Sequence, residues 1–292
     1  MNEAGVTFQS DGLKLAGTIA VPDGLAAGER RPAFIVLHGF GSNQNAANVK
    51  QPCALFGKLG YVTLRFDMRG CGDSAGEKGR IICLDQVADT KSAISFLAQH
   101  PNVDPDRIAL MGSSFGAAVT VYTAGTDRRV AAAISASGWG HGERKFRGQH
   151  PTPEAWARFT AMLEEGRQHR ERTGQSLMVP RYDIVPIPEH LRSHVVARSI
   201  EMFPAETAQS MYDFRAEDVV SAIAPRPLLL LHSSVDSVTP TEQSVALFQK
   251  AGEPTELHLF AGTDHFMFAE GNTRVHDVVR RWLDQYLPAR SS

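Results

Sequence analysis

The chain is short of cysteine, of net charge and of long apolar runs, and each shortage removes a class of protein. Cys53, Cys71 and Cys83 are an odd set without CxxC spacing. They cannot build a disulfide framework and fit reduced thiols in a reducing compartment. Cys71 stands in a glycine-rich loop, where a small filler is expected rather than a reactive thiol. The 30 Lys and Arg nearly balance the 32 Asp and Glu, and a formal net charge of -2 gives no field that would draw nucleic acid or an anionic membrane. No stretch is apolar for long enough to span a bilayer, and Met1 to Phe8 lack a basic region followed by an apolar one. A cytoplasmic location without a membrane partner is therefore the expectation. The 11 histidines include no HExxH or comparable pair, so no metal site is indicated.

What is present is an ordinary globular composition, 42% hydrophobic and 21% charged, in a chain long enough for a large core. Its most informative stretch is Gly112-Ser113-Ser114-Phe115-Gly116, between the apolar run Arg107 to Met111 and a small-residue helix start at Ala117. Read as Gly-x-Ser-x-Gly, this is a nucleophile elbow. A strand turns sharply into a helix and leaves one serine at the tip in a strained conformation. Ser114 is the candidate nucleophile. Ser113 would need glycine at Met111 and Phe115.

The chain around the elbow reads as alternating strands and helices. Val6 to Phe8 and Leu13 to Val21 flank an Asp-Gly turn and predict an antiparallel hairpin. Ala33 to Leu37 is apolar without alternation, as expected of a strand covered on both faces, Val130 to Ala136 reads as another buried strand, and Tyr61 to Asp67, Pro227 to Leu231 and Thr255 to Phe260 read as further strands. Leu84, Val87, Ile94 and Leu97 predict a helix over Asp85 to Gln99, followed by a turn over Asn102 to Asp106. The run from Val275 to Tyr286 predicts a closing amphipathic helix. The alternation requires right-handed crossovers and a mostly parallel sheet flanked by helices.

Residues 141–214 break the pattern, with polar helical stretches expected over Glu154 to Arg170 and Glu189 to Phe203 and no buried strand run. They read as an inserted helical cap, leaving 1–140 and 215–292 as the core domain. Trp139, His141, Trp156, Arg181 and Tyr182 are the residues there that could line a pocket, with Trp139, His141 and Tyr182 carried forward as candidate substrate contacts.

Chemistry-bearing residues fall at the predicted strand ends, where ligands gather in open α/β sheets. His38-Gly39-Phe40-Gly41 follows one strand, and a glycine-flanked loop lets the main chain approach a substrate. The Phe40 and Phe115 amides are the candidate oxyanion donors, with the His38 side chain expected to hydrogen-bond the loop. Asp236 follows another strand, and its alternative role is to cap the helix near Pro240. His265 follows the last strand. Its neighbour Asp264 cannot easily reach its own neighbour's Nδ1, so Asp236 is assigned as the carboxylate partner. The glycine-rich Met68 to Gly76 has neither GK[ST] nor GxGxxG and does not read as a phosphate cradle.

The order Ser114, Asp236, His265 is that of the α/β hydrolases. With His38-Gly39-Phe40-Gly41, Asp67 to Ser74, the elbow, His232 to Asp236 and Gly262 to His265, the sequence resembles an α/β-hydrolase-fold serine hydrolase. The HG-x-G loop and the D-x-RG-x-G-x-S run are similar to its feruloyl-esterase-like and prolyl-oligopeptidase-like branches, here without a propeller. Ser233 stands where that family usually has glycine. The resemblance implies a carboxylesterase-like enzyme acting through an acyl-enzyme on a small or medium ester, with no cofactor. Fold and triad do not choose the bond, so an amide, a carbamate, a carbon–carbon bond or acyl transfer are alternatives, while a non-catalytic binding fold fits the intact residues poorly. A homodimer through the cap is a further expectation.

Overall fold

The computed structural model describes residues 1–289. The chain opens with β1 (Asn2–Ser10) and β2 (Leu13–Val21), an antiparallel hairpin. Its turn residues Asp11 and Gly12 have φ of 48° and 78°, the pair of positive values that a two-residue type I′ turn needs. Then come β3 (Arg31–Leu37), α1 (Ala47–Lys58), β4 (Val62–Phe66), α2 (Cys83–Leu97), β5 (Val103–Ser113), α3 (Phe115–Thr126) and β6 (Val130–Ala136). After residues 141–214 the pattern resumes with β9 (Leu228–Ser233), α8 (Glu242–Lys250), β10 (Thr255–Phe260) and α9 (Thr273–Tyr286).

These strands form one eight-stranded sheet in the order β1-β2-β4-β3-β5-β6-β9-β10, antiparallel only where β1 meets β2 and β2 meets β4. This is the α/β-hydrolase architecture. Because neighbouring side chains along a strand point to opposite faces, the apolar runs divide between two cores. Ala33, Ile35 and Leu37 of β3 pack with Val87, Ile94 and Val119 of α2 and α3. Phe34 and Val36 pack with Val49 and Phe56 of α1 and with Val279 and Trp282 of α9.

Residues 141–214 hold α4 (Gly142–Gln149), α5 (Pro153–Thr173), β7 (Met178–Pro180), α6 (Arg181–Ile184), β8 (Met202–Pro204) and α7 (Ala205–Asp213). Thr152 caps α5 by accepting from the Ala155 amide at 3.1 Å, and Gly174 ends it in the left-handed region. The apolar residues Phe146, Phe159, Phe203 and Met211 are continuous with the α2/α3 side of the core.

Several expectations need correction. No helix spans Glu189 to Phe203: a 3₁₀ turn covers Glu189–His194, and Met202–Pro204 pairs antiparallel with Met178–Pro180. Arg198 at φ 65° is outside helical space and would break a helix through that stretch. The helix Ala47–Lys58, with Pro52 in its interior, was not expected. Leu84 points outward, 56% exposed, so α2 buries Cys83, Val87, Ile94 and Leu97 instead. Residues 102–106 are not a free turn, since β5 runs from Val103. All three cysteines are buried free thiols, and burial pushes Cys53 and Cys83 up to about 12. No helix of the described residues is long and apolar enough to cross a membrane.

Candidate active site

Ser114 sits between β5 and α3 at φ 57° and ψ −116°, a backbone conformation that costs on the order of 1–3 kcal/mol and persists only where surroundings enforce it. The enforcement is visible. The Ser114 amide donates to the Ala136 carbonyl at 2.8 Å. A Cβ on Gly112 would stand 2.1 Å from the Gly116 carbonyl oxygen, and one on Gly116 would stand 2.5 Å from that of His38. The turn is thus as tight as the glycines allow, and it holds the Ser114 side chain at the cavity. Ser113 also reaches the cavity, but its hydroxyl is turned to the Asn48 carbonyl at 3.4 Å.

The loop after β3 lies beside this turn: a Cβ on Gly39 would be 3.8 Å from Ser114 Cβ. His38 is buried, its Nδ1 2.8 Å from the Gly39 carbonyl and its Nε2 accepting from the Met68 amide at 3.1 Å. Nδ1 therefore carries the proton, and burial lowers the ring's pKa, keeping it neutral. The Gly39 carbonyl and the Phe40 N–H share one peptide plane and point opposite ways, so the His38 bond also aims the Phe40 amide. Among the described residues, neither the Phe40 nor the Phe115 N–H donates in the turn, loop and cap hydrogen bonds. The D-x-RG-x-G-x-S run serves this loop from behind. Asp67 accepts from the Gln44 amide at 2.7 Å and the Asp73 amide at 2.9 Å, and a Cβ on Gly72 would collide with the Asp67 carboxylate.

Asp236 and His265 come together from loops that follow β9 and β10. His265 Nδ1 lies 2.9 Å and 3.1 Å from the two Asp236 oxygens. Those oxygens only accept, so Nδ1 holds the proton and Nε2 keeps its lone pair. Asp236 Oδ1 also accepts from the Val238 and Thr239 amides at 2.8 Å and 2.7 Å, which closes its own loop but does not cap the following helix, since α8 starts at Glu242 and has no side-chain cap. His232 Nε2 stands 3.2 Å from Asp236 Oδ2 and 3.1 Å from the Thr239 carbonyl, and with two acceptors it too must carry a proton. Burial alone would raise the Asp236 carboxyl, but His265 and the His232 hydrogen bond outweigh it and hold the group far below the usual carboxylate range. Asp264 is engaged elsewhere, accepting from the Ser237 amide and hydroxyl. Ser233, in place of glycine, donates to the Thr263 carbonyl at 2.6 Å and so ties the aspartate loop to the histidine loop.

Ser114 and His265 line one cavity with Gly39, Phe40 and Phe266. Among the described residues no hydrogen bond joins the Ser114 hydroxyl to His265, and such bonds often close only as substrate binds. Residues 141–214 contribute Arg181, Val185, Ile187, His194, Val195 and Ser199 to the wall. Three candidate contacts lie outside it. Trp139 is fully buried against Phe214, with the Lys145 amine 5.5 Å from its ring, because it follows β6 into the core rather than toward the opening. His141 caps α4, Nδ1 accepting from the Arg144 amide at 3.2 Å. Tyr182 faces an outer groove and stacks on Arg192. Trp156 packs under Arg147 on the outside.

The family model described as serine aminopeptidase, S33 matches residues 28–272. The chain is 28% identical over 291 residues to an uncharacterized 31.7 kDa protein of Escherichia coli, covering 95% of this chain and 97% of that one. It is 27% identical to the polyketide transferase grgF of a Penicillium species, covering 94% and 92%, and the crystal structure of that α/β hydrolase superposes with a TM-score of 0.79 over 97% of each chain. It is 26% identical to the thiohydrolase aneE of Aspergillus aculeatus, covering 87% and 83%.

Proposed function

Since the chain belongs to the serine aminopeptidase, S33 family of α/β-hydrolase-fold serine hydrolases, we propose that it hydrolyses a small or medium carboxylic ester through Ser114, His265 and Asp236. The observation that carries this reading is the His265 Nδ1 bond to a fully buried Asp236, at 2.9 Å, on the rim of the cavity that also holds the strained Ser114. A neutral hydroxyl is a weak nucleophile, and a base of fixed tautomer is what activates it.

In this mechanism Ser114 Oγ attacks the ester carbonyl while His265 Nε2 takes its proton. The negative charge that develops on the carbonyl oxygen is met by the Phe40 and Phe115 amides. The tetrahedral intermediate collapses, the C–O bond to the alcohol breaks, and His265 returns the proton to the leaving oxygen. Water, deprotonated by His265, then attacks the acyl-enzyme and releases the acid and free Ser114. Asp236 stabilises the imidazolium in both halves without taking its proton. No cofactor is needed.

The walls favour a neutral, apolar substrate. No Asp, Glu or Lys is among the described residues that line the cavity, so no carboxylate there would balance the charge of a free α-ammonium group. That weighs against an aminopeptidase. A second reading draws on the relatives named as a polyketide transferase and a thiohydrolase: the donor is an acyl thioester, and the acyl group passes to water or to an alcohol.

The test is turnover of p-nitrophenyl esters by the purified protein and by Ser114→Ala, with fluorophosphonate labelling of Ser114. Loss of both turnover and label in the variant is expected. Retained turnover would overturn the reading. Product analysis with a thioester donor and a competing alcohol separates hydrolysis from transfer.

A further inference from the structure

Arg181 is a buried cation, 3% exposed, that forms no salt bridge among the described residues, with Glu201 acting on it only through space. Its Nε donates to the Ile200 carbonyl at 2.8 Å, Nη1 to the Phe40 carbonyl at 2.9 Å and Nη2 to the Gly41 carbonyl at 2.9 Å. The guanidinium lies 5.5 Å and 5.4 Å from the ring centres of Phe40 and Phe203, which stack on each other at 4.3 Å. The Ile200 amide adds a second bond to the Gly41 carbonyl at 2.9 Å. Gly41, at φ 53°, has no room for more: a Cβ would lie 2.4 Å from Phe203 Cζ and 2.8 Å from Arg181 Nη2.

Burying an unpaired charge is expensive, and an apolar side chain would join two segments with less desolvation. What an apolar residue could not do is fix carbonyl directions. The Phe40 amide belongs to the 39–40 peptide, which His38 holds through the Gly39 carbonyl. On the other side of the Phe40 Cα, the 40–41 peptide is held by Arg181. One peptide is fixed from the sheet and the next from the cap, so together they set both backbone angles of Phe40. An oxyanion donor tolerates only about 10–20° of error.

We propose that Arg181 is a positioning residue of the oxyanion hole, by which residues 141–214 set the direction of the Phe40 amide. The inference rests on the esterase reading above. It assigns Arg181 no contact with the reacting atoms. Its effect is on the step in which charge develops, not on binding of the ground state.

The experiment compares wild type, Arg181→Met and Arg181→Lys as full-length proteins, with a p-nitrophenyl butyrate assay and inhibition by a trifluoromethyl ketone, whose adduct with Ser114 carries an oxyanion. In Arg181→Met, kcat should fall about 10- to 100-fold, somewhat less than when an oxyanion donor is deleted outright. KM should stay within about 3-fold, and ketone affinity should fall by the same factor as kcat. Lysine keeps the charge but lacks the planar fork, so Arg181→Lys should stay closer to Arg181→Met than to wild type. A loss confined to KM, or unchanged kcat and ketone affinity in a folded variant, overturns the proposal. If circular dichroism shows Arg181→Met unfolded, Arg181→Lys carries the same test with the same outcomes. A wild-type protein that turns over no ester and takes no fluorophosphonate would instead defeat the underlying reading.

Discussion

Beneath the cavity, the Asp236 carboxylate is met by two amides of its own loop and by the imidazoles of His265 and His232. Above it, residues 141–214 give the wall Val185, Ile187, His194, Val195 and Ser199, and the buried Arg181 spends its donors on the main chain. The sheet side fixes protons and lone pairs. The side formed by residues 141–214 fixes surface and one stretch of backbone. The two sides should therefore fail differently: damage below the cavity should strike the chemical step, and damage to the apolar wall above it, Arg181 apart, should strike selectivity.

The sharpest break of this comparison is at Ser114. Ser114→Ala should lower kcat by at least about 10⁴-fold in a steady-state ester assay, with the melting temperature nearly unchanged, because alanine keeps the Cβ and with it the backbone strain. Next is Asp236→Asn. Its amide would face His265 Nδ1 with an N–H and turn the imidazole to the useless tautomer, a loss of about 10⁴-fold in kcat. Imidazole proton shifts in NMR would report the switch. Truncation above the cavity should be milder. Val185→Ala or Ile187→Ala should lower kcat/KM for a butyryl or hexanoyl ester about 3- to 10-fold, mostly through KM, as expected for the loss of a few buried methylenes. A comparable loss in kcat from those two would erase the distinction between the two sides.

The smallest effect on activity is expected at Lys145 of α4, which is buried with its amine 3.9 Å from the Phe146 ring and bonded to Gln149 Oε1 at 2.8 Å. Burial brings the amine down to about 7. In the unfolded chain it titrates near the ordinary lysine value of about 10.4, so between these limits the native state binds fewer protons than the unfolded one. Stability should rise with pH across that interval and be flat, for this group, below it. Lys145→Met should remove the slope from a melting-temperature series between about pH 7 and pH 10 and raise stability at pH 7. The kcat should be unchanged.

The same division explains what could be read from residue order. The elbow, the glycine loop and the strand-end Asp236 and His265 are legible because each is a local backbone requirement that only a few residue types satisfy. Short unbroken apolar runs such as Leu228 to Leu231 announce sheet strands covered on both faces. The cap wall has no such signature. Val185, Ile187 and Val195 look like core residues, and the prolines at 186 and 188 break any periodicity. That is why a helix was expected over Glu189 to Phe203, where the chain instead makes a short turn and a strand. Aromatic and polar residues near the strand end drew attention, yet Trp139 went into the core, His141 to a helix cap and Tyr182 to an outer groove. His232 had a faint signal, four residues before Asp236. Arg181 was legible only as a residue that could line a pocket, which it does; its hold on the main chain was not, since a side chain that binds carbonyls leaves no pattern in its partners.

The stacked pair of Phe40 and Phe203 also bears on any attempt to change what the protein accepts by exchanging its cap. If residues 141–214 bind substrate and Arg181 positions the Phe40 amide as proposed, a graft from a relative would bring in a new binding surface and would also reset the cradle for the substrate's carbonyl oxygen, because Phe203 and Arg181 travel with the transplanted segment. Chimeras that keep residues 181 and 200–203 of the recipient should retain turnover while changing preference. Those that replace them should need compensating changes around Gly41 before any new preference can be measured.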